Sequence, residues 1–180
     1  SANVILNNCI SIGSDGSGFS FARTGSGTGD FNYCMAAYSK GAAFGSRISG
    51  GNPLALRNCV FFFPESQGSN LFGPENANTS NNATTDAGPL AIGPNSIHNL
   101  TVDQAKTAHD FLAGNPSDWR QLDVAGSLLQ DAGIAVAGVT LDYNGNARDG
   151  TNPNIGPAEG LTLFGVAGAG RQVRARYHNV

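Results

Sequence analysis

The stretches LNNCI (residues 6–10), FNYCM (31–35) and LRNCV (56–60) share one pattern, which recurs every 25 residues. Each has a large apolar residue, a cysteine three positions later and a second apolar residue directly after the cysteine. A fixed period of ~20–50 residues is the signature of a repeat array. The chain is therefore predicted to stack several copies of one small structural unit.

The content of the repeat favours strands. Val4, Leu6, Ile10 and Ile12 are apolar at every second position on either side of the first bend, as residues on one face of a strand are. Glycine, asparagine and serine separate the segments, and no apolar pattern of helical period appears. A coil of this length holds three short strands and three turns, and successive coils pair ~4.8 Å apart. The predicted fold is all-β, a short parallel β-helix over residues 1–75.

Stacked coils place equivalent residues on top of each other. Cys9, Cys34 and Cys59 would then form a buried ladder, and Asn8 and Asn58 would lie at a bend between two strands, where asparagine tolerates left-handed backbone. Parallel Cβ vectors make poor disulfide geometry, so the cysteines are expected to remain reduced. No Cys-x-x-Cys pair or nearby histidine suggests a metal site.

The repeat fades after about residue 75. Residues 76–160 are predicted to be a loop-rich cap that covers the C-terminal end of the coils. Thr101 and Gln104 form a capping-box pattern, which predicts a short helix from there through Leu112. Residues 161–180 alternate in polarity and are predicted to be a C-terminal strand extension.

The second half of the chain carries four ordered motifs: DWRQL (118–122), SLLQDAG (127–133), DYNGNAR (142–148) and NIGPAE (154–159). Their order resembles the C-terminal end of right-handed parallel β-helix repeat proteins of the pectin-lyase-like superfamily. The resemblance implies a right-handed helix and a structural closing motif. The chain departs from the family pattern at Asn154, where aspartate is usual, and at Pro157-Ala158, where Ala-Tyr is usual. The charged residues of the cap motif are Asp131, Asp142, Arg148 and Glu159.

The resemblance leaves catalysis open, since the family includes polysaccharide lyases and hydrolases, surface adhesins and phage appendage proteins. Glycan cleavage needs paired carboxylates, or carboxylates with a basic group. No carboxylate in residues 1–90 recurs at the same offset in adjacent coils. The chain is therefore expected to be no enzyme, with no catalytic residue and no cofactor. The alternative is the C-terminal part of a polysaccharide lyase or hydrolase.

The stretch that starts at Asp142 looks like a calcium loop. An EF-hand needs glycine at its sixth position and glutamate at its twelfth, whereas here Gly145 is fourth and Pro153 twelfth. The residues are therefore expected to form a turn in which Arg148 pairs with Asp142 or Glu159, and no metal site is predicted.

Four aromatic residues are candidates for contact with a glycan: Tyr33, Tyr38, Phe61 and Phe63. Alternation along the strand turns Phe61 and Phe63 to the face opposite Phe62. The alternative is that both faces are buried, one of them by the cap or by a neighbouring subunit.

The net charge and the hydropathy of the chain limit which classes of binding partner are expected. Charged residues make up 13% of the chain, the net charge is −3, and no basic stripe or long apolar run is present. Nucleic acid and membrane are therefore not expected as partners. The resemblance implies a structural or adhesive protein, a phage head or tail appendage or decoration component located in the virion or outside the cell. We expect a homo-oligomer, with a trimer as the first expectation, formed through the N-terminal coil edge and residues 161–180. The alternative function is that of a secreted carbohydrate-binding adhesin.

Overall fold

The structure is a computed structural model, and it describes residues 3–23, 28–41, 44–48, 54–62, 78–85, 92–101, 104, 109–111, 119–121, 127–143 and 145–159. Within these ranges Gln104 alone is helical, so the prediction of a strand-rich, all-β chain is confirmed. The strands are β1 (Val4–Asn7), β2 (Ile10–Ile12), β3 (Phe19–Arg23), β4 (Gly29–Asn32), β5 (Met35–Ala37), β6 (Phe44–Ile48), β7 (Leu54–Arg57), β8 (Val60–Phe62), β9 (Ala83–Thr84), β10 (His109–Phe111) and β11 (Trp119–Gln121).

Three parallel sheets carry the repeat. Their strand orders are β1-β4-β7, β2-β5-β8-β9 and β3-β6, and we call them the first, second and third sheets. Paired residues are 25 positions apart: Leu6 lies beside Phe31, Phe31 beside Leu56, and Ile10 beside Met35. We call β1–β3 the first layer, β4–β6 the second, and β7 with β8 the third.

The parallel stacking continues beyond residue 75, where the sequence repeat fades. Val60 pairs with Ala83 in the fourth layer, and Ala83 forms a bridge with Ile97 in a fifth. The spacing therefore shortens from 25 residues to 23 and then to 14, and Asn82 lies at the position where the first three layers have cysteine. One bend recurs in all five layers with φ between 53° and 57°, at Asn8, Tyr33, Asn58, Asn81 and Asn95. The sequence pattern missed the last two layers because both the spacing and the marker residue change.

The second sheet is buried on both faces at β5, β8 and β9, whereas β2 is half-buried. Its inward side chains, such as Ala36 and Phe61, pack with Phe31 and Leu56 of the first sheet and the partly buried Phe19 of the third in one apolar cluster. Its outward side chains form a second cluster with residues from the C-terminal part of the chain. The outer cluster contains Met35, Ala37, Val60, Phe62, Ala83, Leu100, Leu129 and Ile155.

The capping box forms, but the predicted helix does not extend through Leu112. Thr101 N–H donates to Gln104 Oε1 (2.9 Å) and Gln104 N–H donates to Thr101 Oγ1 (3.2 Å). His109–Phe111 is instead a strand that pairs antiparallel with Trp119–Gln121. The capping box alone does not specify how far a helix extends, and the sequence between the two paired strands contains Gly114 and Pro116, which are typical of turns.

Candidate functional site

Residues 127–159, which we call the closing segment, lie along the side of the stack and contact four of its layers. They follow the line of bends, and the prediction that residues 76–160 cover the C-terminal end of the coils stays a prediction. The chain runs from the fourth layer back towards the first. The side-chain bonds that hold it are Asn81 Nδ2 to Ala132 O (3.0 Å), Asn58 Nδ2 to Ile134 O (2.7 Å), Tyr33 Oη to Ile134 O (2.9 Å) and Asn8 Nδ2 to Leu141 O (2.8 Å).

Asparagine suits this bend for two reasons. It tolerates left-handed backbone, and its side-chain amide can donate to the C=O and accept from the N–H of one neighbouring residue. Asn58 does both, since its Oδ1 also accepts from Ile134 N–H at 2.9 Å. In the second layer Tyr33 takes the bend position, and its hydroxyl makes the equivalent bond. Sequence reasoning identified Asn8 and Asn58 as bend residues and missed Tyr33, because tyrosine carries no signal for left-handed backbone.

Arg148 is the centre of the closing segment. Its Nη1 donates to Glu159 Oε2 at 2.9 Å, and its Nη2 donates to Asn8 Oδ1 at 2.8 Å. Nη2 also bonds the carbonyls of Gly156 (3.2 Å) and Pro157 (3.0 Å). The guanidinium carbon lies 3.6 Å from the centre of the Tyr33 ring, a cation–π contact. One buried side chain therefore ties the closing motif to the first and second layers.

The carboxylates of Asp142 and Glu159 are both hydrogen-bonded within the chain. Asp142 Oδ1 accepts from Asn146 N–H (2.8 Å), and Asp142 Oδ2 accepts from Glu159 N–H (2.9 Å). Glu159 Oε1 accepts from Asp149 N–H (3.0 Å). Among the described residues no group of three or more His, Cys, Asp or Glu could hold a metal ion. The arrangement favours the turn interpretation of the Asp142 loop, with Glu159 as the ion-pair partner of Arg148.

Asn154 stands where the family that the chain resembles usually has aspartate, and its side chain makes two hydrogen bonds within the closing segment. Its Oδ1 accepts from Asp131 N–H (2.9 Å), and its Nδ2 donates to the Glu159 carbonyl (3.2 Å). Aspartate could replace the first bond but not the second, because a carboxylate has no hydrogen to donate. Asp131 itself contributes its backbone here, and its side chain is exposed.

Burial opposes ionisation in the Arg148–Glu159 pair. It raises the pKa of Glu159 and lowers the pKa of Arg148, although each group partly offsets the shift of the other. The free-energy cost of desolvating two charges can equal the free energy gained from their attraction. The net contribution of the pair to stability therefore depends on the additional hydrogen bonds around it.

The three cysteines are stacked as free thiols, and none of them forms a disulfide. Cys34 and Cys59 are fully buried, Cys9 is half-buried, and all three are free. Cys34 Sγ donates to Leu6 O (3.4 Å) and Cys59 Sγ donates to Phe31 O (3.3 Å), each reaching the layer before. Burial raises the pKa of Cys34, and a hydrogen bond with Cys34 raises that of Cys9. Reactive and metal-binding cysteines are thiolates, so this environment opposes both roles.

Two of the aromatic glycan candidates are not accessible. Tyr33 is 1% exposed beneath Arg148 and Phe61 is 0% exposed in the inner cluster, so neither can stack on a sugar. The glycan-contact interpretation is corrected for these two, because the closing segment covers the first and the coil interior encloses the second. Tyr38 is half-buried against the outer cluster. Phe63 lies outside the described residues.

The described residues offer a pocket and a set of exposed apolar side chains for binding. A pocket of about 210 Å³ lies between Tyr33, Arg148 and residues 135–140 of the closing segment. Exposed apolar side chains also occur at the first layer, where Val4 is 39%, Ile5 62% and Leu141 52% exposed. We call Val4, Ile5 and Leu141 the first-layer patch; Leu141 is placed there by its bond with Asn8. Apolar surface of this kind is more typical of a contact with another protein than of a catalytic site.

Comparison of the chain with protein-family models, with curated proteins and with solved structures found no match. In the part of the chain that the structure describes, no helix has the length and apolar character needed to cross a membrane.

Proposed function

We propose that the chain is a non-catalytic structural or adhesive protein built on a short right-handed parallel β-helix. The 25-residue parallel register of the three sheets and the resemblance of the closing motifs support this architecture. The proposed division is coils in residues 1–75, a closing region in 76–160 and an extension in 161–180, with the fourth and fifth layers continuing the coils into the closing region.

The observation that carries the proposal is the use of the polar groups in the closing segment. The carboxylates of Asp142 and Glu159 and both terminal nitrogens of Arg148 already have hydrogen-bond partners within the chain, and Arg148 Nε is buried without one. A catalytic pair of carboxylates would instead face a cleft open to the substrate. The role we propose is that of a virion appendage or decoration component, which acts at a virus surface or outside the cell.

We propose that such a component works as a homo-oligomer, with a trimer as the first expectation. The first-layer patch offers the contact, since exposed apolar groups gain by burial against a neighbour. A stable interface buries ~1,000 Å² or more, so polar substitutions in the patch should weaken it measurably.

Light scattering on the wild-type chain should give an oligomer, and the double variant Ile5→Ser/Leu141→Ser should give a monomer with unchanged circular dichroism. Leu128→Ser is the matched control, because Leu128 is also half-exposed (47%) but lies outside the patch. A wild-type monomer, or an oligomer indifferent to the double variant, would refute assembly through this surface.

The enzymatic alternative is tested on the same preparation. Reducing-end and unsaturated-product assays over acidic and neutral polysaccharides should show no turnover. Turnover that disappears when Asp15 and Glu65 are both replaced by alanine would overturn the non-catalytic proposal and favour a lyase or hydrolase.

A further inference from the structure

The outer edge of β1 carries backbone groups without a partner among the described residues. Val4 N–H and Asn8 N–H donate to carbonyls of the second layer at 2.9 Å and 3.0 Å, so the even-numbered residues direct their backbone groups at that layer. Direction alternates along an extended strand, which turns the backbone groups of Ile5 and Asn7 outwards. β1 is the terminal strand of its sheet, and of these outward groups only Asn7 O has a described contact, a weak one with Cys9 Sγ at 3.5 Å.

The side chains of β1 are also less buried than those of the layers stacked on it. Leu6 is half-buried, whereas Phe31 and Leu56 at the equivalent positions of the next two layers are each 2% exposed. Ile5 is 62% exposed, whereas Ala55 at the equivalent position of the third layer is 2% exposed. One additional strand beside β1 would therefore bury apolar surface on both faces of the first sheet.

The edge has none of the usual features that keep strand edges apart. Proteins protect exposed edges with charged residues, proline or bulges, or cover them with another segment. Residues 1–14 contain neither a charged residue nor a proline. β1 pairs with β4 residue by residue, without a bulge. The edge is therefore suited to pairing with a further strand.

The order of residues along β1 makes this strand complementary to a second copy of itself in the antiparallel direction. With Ile5 opposite Ile5 of the partner subunit, Val4 lies opposite the partner's Leu6, and Asn3 lies opposite the partner's Asn7. Opposite residues share one face of a sheet and interact there. This register joins apolar side chains on both faces and side-chain amides at each end. Moving either copy by two residues places Ile5 opposite an asparagine, which loses the match.

Backbone and side-chain hydrogen bonds support the same register. Because Ile5 directs its backbone outwards, the two copies of it can exchange both N–H···O bonds, as a hydrogen-bonded antiparallel pair does. Arg57 Nε donates to Asn32 Oδ1 (2.9 Å), and Asn32 Nδ2 donates to Asn7 Oδ1 (2.9 Å). This chain of bonds ends at Asn7 Nδ2, a donor at the edge of the first layer. In the proposed register it lies beside the Asn3 side chain of the partner subunit, whose oxygen can accept it.

We propose that the outer edge of β1 pairs antiparallel with the same edge of a second copy, with the two Ile5 residues opposite each other. The inference rests on the homo-oligomer proposed above and specifies its contact, in which two first layers stack about a two-fold axis. A strand edge accepts one partner only, so the contact unit is a pair of chains where the first expectation was three. The predicted extension, residues 161–180, lies outside the described residues and takes no part in the contact proposed.

Amide hydrogen exchange of the full wild-type chain, measured residue by residue, tests the pairing. The amides of Ile5 and Asn7 should be protected at a concentration where light scattering shows the oligomer. Dilution to the monomer should speed their exchange about tenfold or more, because the pairing bonds are then lost. The Asn8 amide, which bonds Asn32 O within the chain at 3.0 Å, is the internal control and should stay protected at both concentrations.

A disulfide tests the register. Opposite residues of a hydrogen-bonded antiparallel pair have Cα atoms ~5.5 Å apart, within the ~4.4–6.8 Å that disulfides span. Ile5→Cys, combined with Cys9→Ala to remove the half-buried native thiol, should oxidise to a covalent dimer on a non-reducing gel. Asn7→Cys with the same Cys9→Ala change is the matched control and should run as a monomer, because Asn3 lies opposite it.

Every other result overturns the pairing. Ile5 and Asn7 amides that exchange freely in the oligomer, or an oligomer of three chains, would remove the strand pairing and leave the proposed homo-oligomer standing. Amides protected equally at every concentration, in a chain that dilution makes monomeric, would assign the edge to another part of the same chain. A covalent dimer of the Asn7→Cys variant but not of the Ile5→Cys variant would contradict the register. A chain that is monomeric at every concentration would refute the homo-oligomer as well.

Discussion

Replacing Arg148 with methionine is expected to lower the free energy of unfolding by about 3–5 kcal/mol, the range for removing one partner of a buried ion pair. Methionine keeps much of the apolar stem but leaves Glu159 Oε2, Asn8 Oδ1 and two carbonyls without their donor. Those groups are shielded from water, so each keeps part of its desolvation cost. Urea denaturation followed by circular dichroism measures the loss.

An exposed ion pair between Lys40 and Asp15 supplies a matched control. Lys40 Nζ lies 2.6 Å from Asp15 Oδ1, but the two side chains are 59% and 90% exposed. Lys40→Met should leave the denaturation midpoint unchanged, because exposed pairs contribute little. Equal midpoint shifts for Arg148→Met and Lys40→Met would show that the Arg148 network adds no more than a surface contact.

Replacing Cys34 with aspartate should have an effect of similar size, several kcal/mol, and should leave the chain largely unfolded at neutral pH. Cys34 is 0% exposed among apolar neighbours, and its Sγ faces the carbonyls of Leu6 and Asn32. A carboxylate there would be buried without a positive partner and would face two carbonyl oxygens. Thermal melting of the purified variant measures the loss.

Cys34→Ala separates the charge from the loss of the thiol. It removes one atom from the interior and should cost about 1–2 kcal/mol, as small core truncations do. Cys9→Asp adds a second comparison, since Cys9 is half-buried at the first layer and its carboxylate could reach water. A Cys34→Asp variant that melts with the wild type would contradict burial of the ladder.

The sequence was sufficient to predict the strand-rich fold and the register of the first three layers. Cys9, Cys34 and Cys59 mark that register because a buried position between parallel strands accepts few side chains, so the same small residue recurs. Asn8 and Asn58 mark the bend because its left-handed backbone is costly for most residues. A strict steric requirement at a repeated position makes the same residue type recur in the sequence at a fixed spacing.

The fourth layer and the position of the closing segment could not be predicted from a recurring residue type. Asn82 replaces cysteine in the fourth layer and satisfies three backbone groups through its amide: it accepts from Cys59 N–H and donates to the carbonyls of Leu56 and Ile92. The position of the closing segment depends on bonds between residues more than a hundred positions apart, such as Arg148 to Asn8. Periodicity cannot predict contacts of that kind, because no spacing recurs. The charged cap residues were identified from the resemblance, and the pairing of Arg148 with Asp142 or Glu159 was predicted, but the bond from Arg148 to Asn8 became evident only in the structure.

The order of the closing segment has a consequence for synthesis on the ribosome. Asn8 meets Leu141 and Arg148, which are translated 133 and 140 residues later. At ~5–20 residues per second the first layer therefore waits on the order of ten seconds before the residues that flank it exist. During that interval the apolar outward face of β2 and β5 is open to chaperones or to other nascent chains. Folding that begins at the N-terminus can be completed only when the C-terminal third emerges, which makes truncated translation products of this chain prone to aggregation.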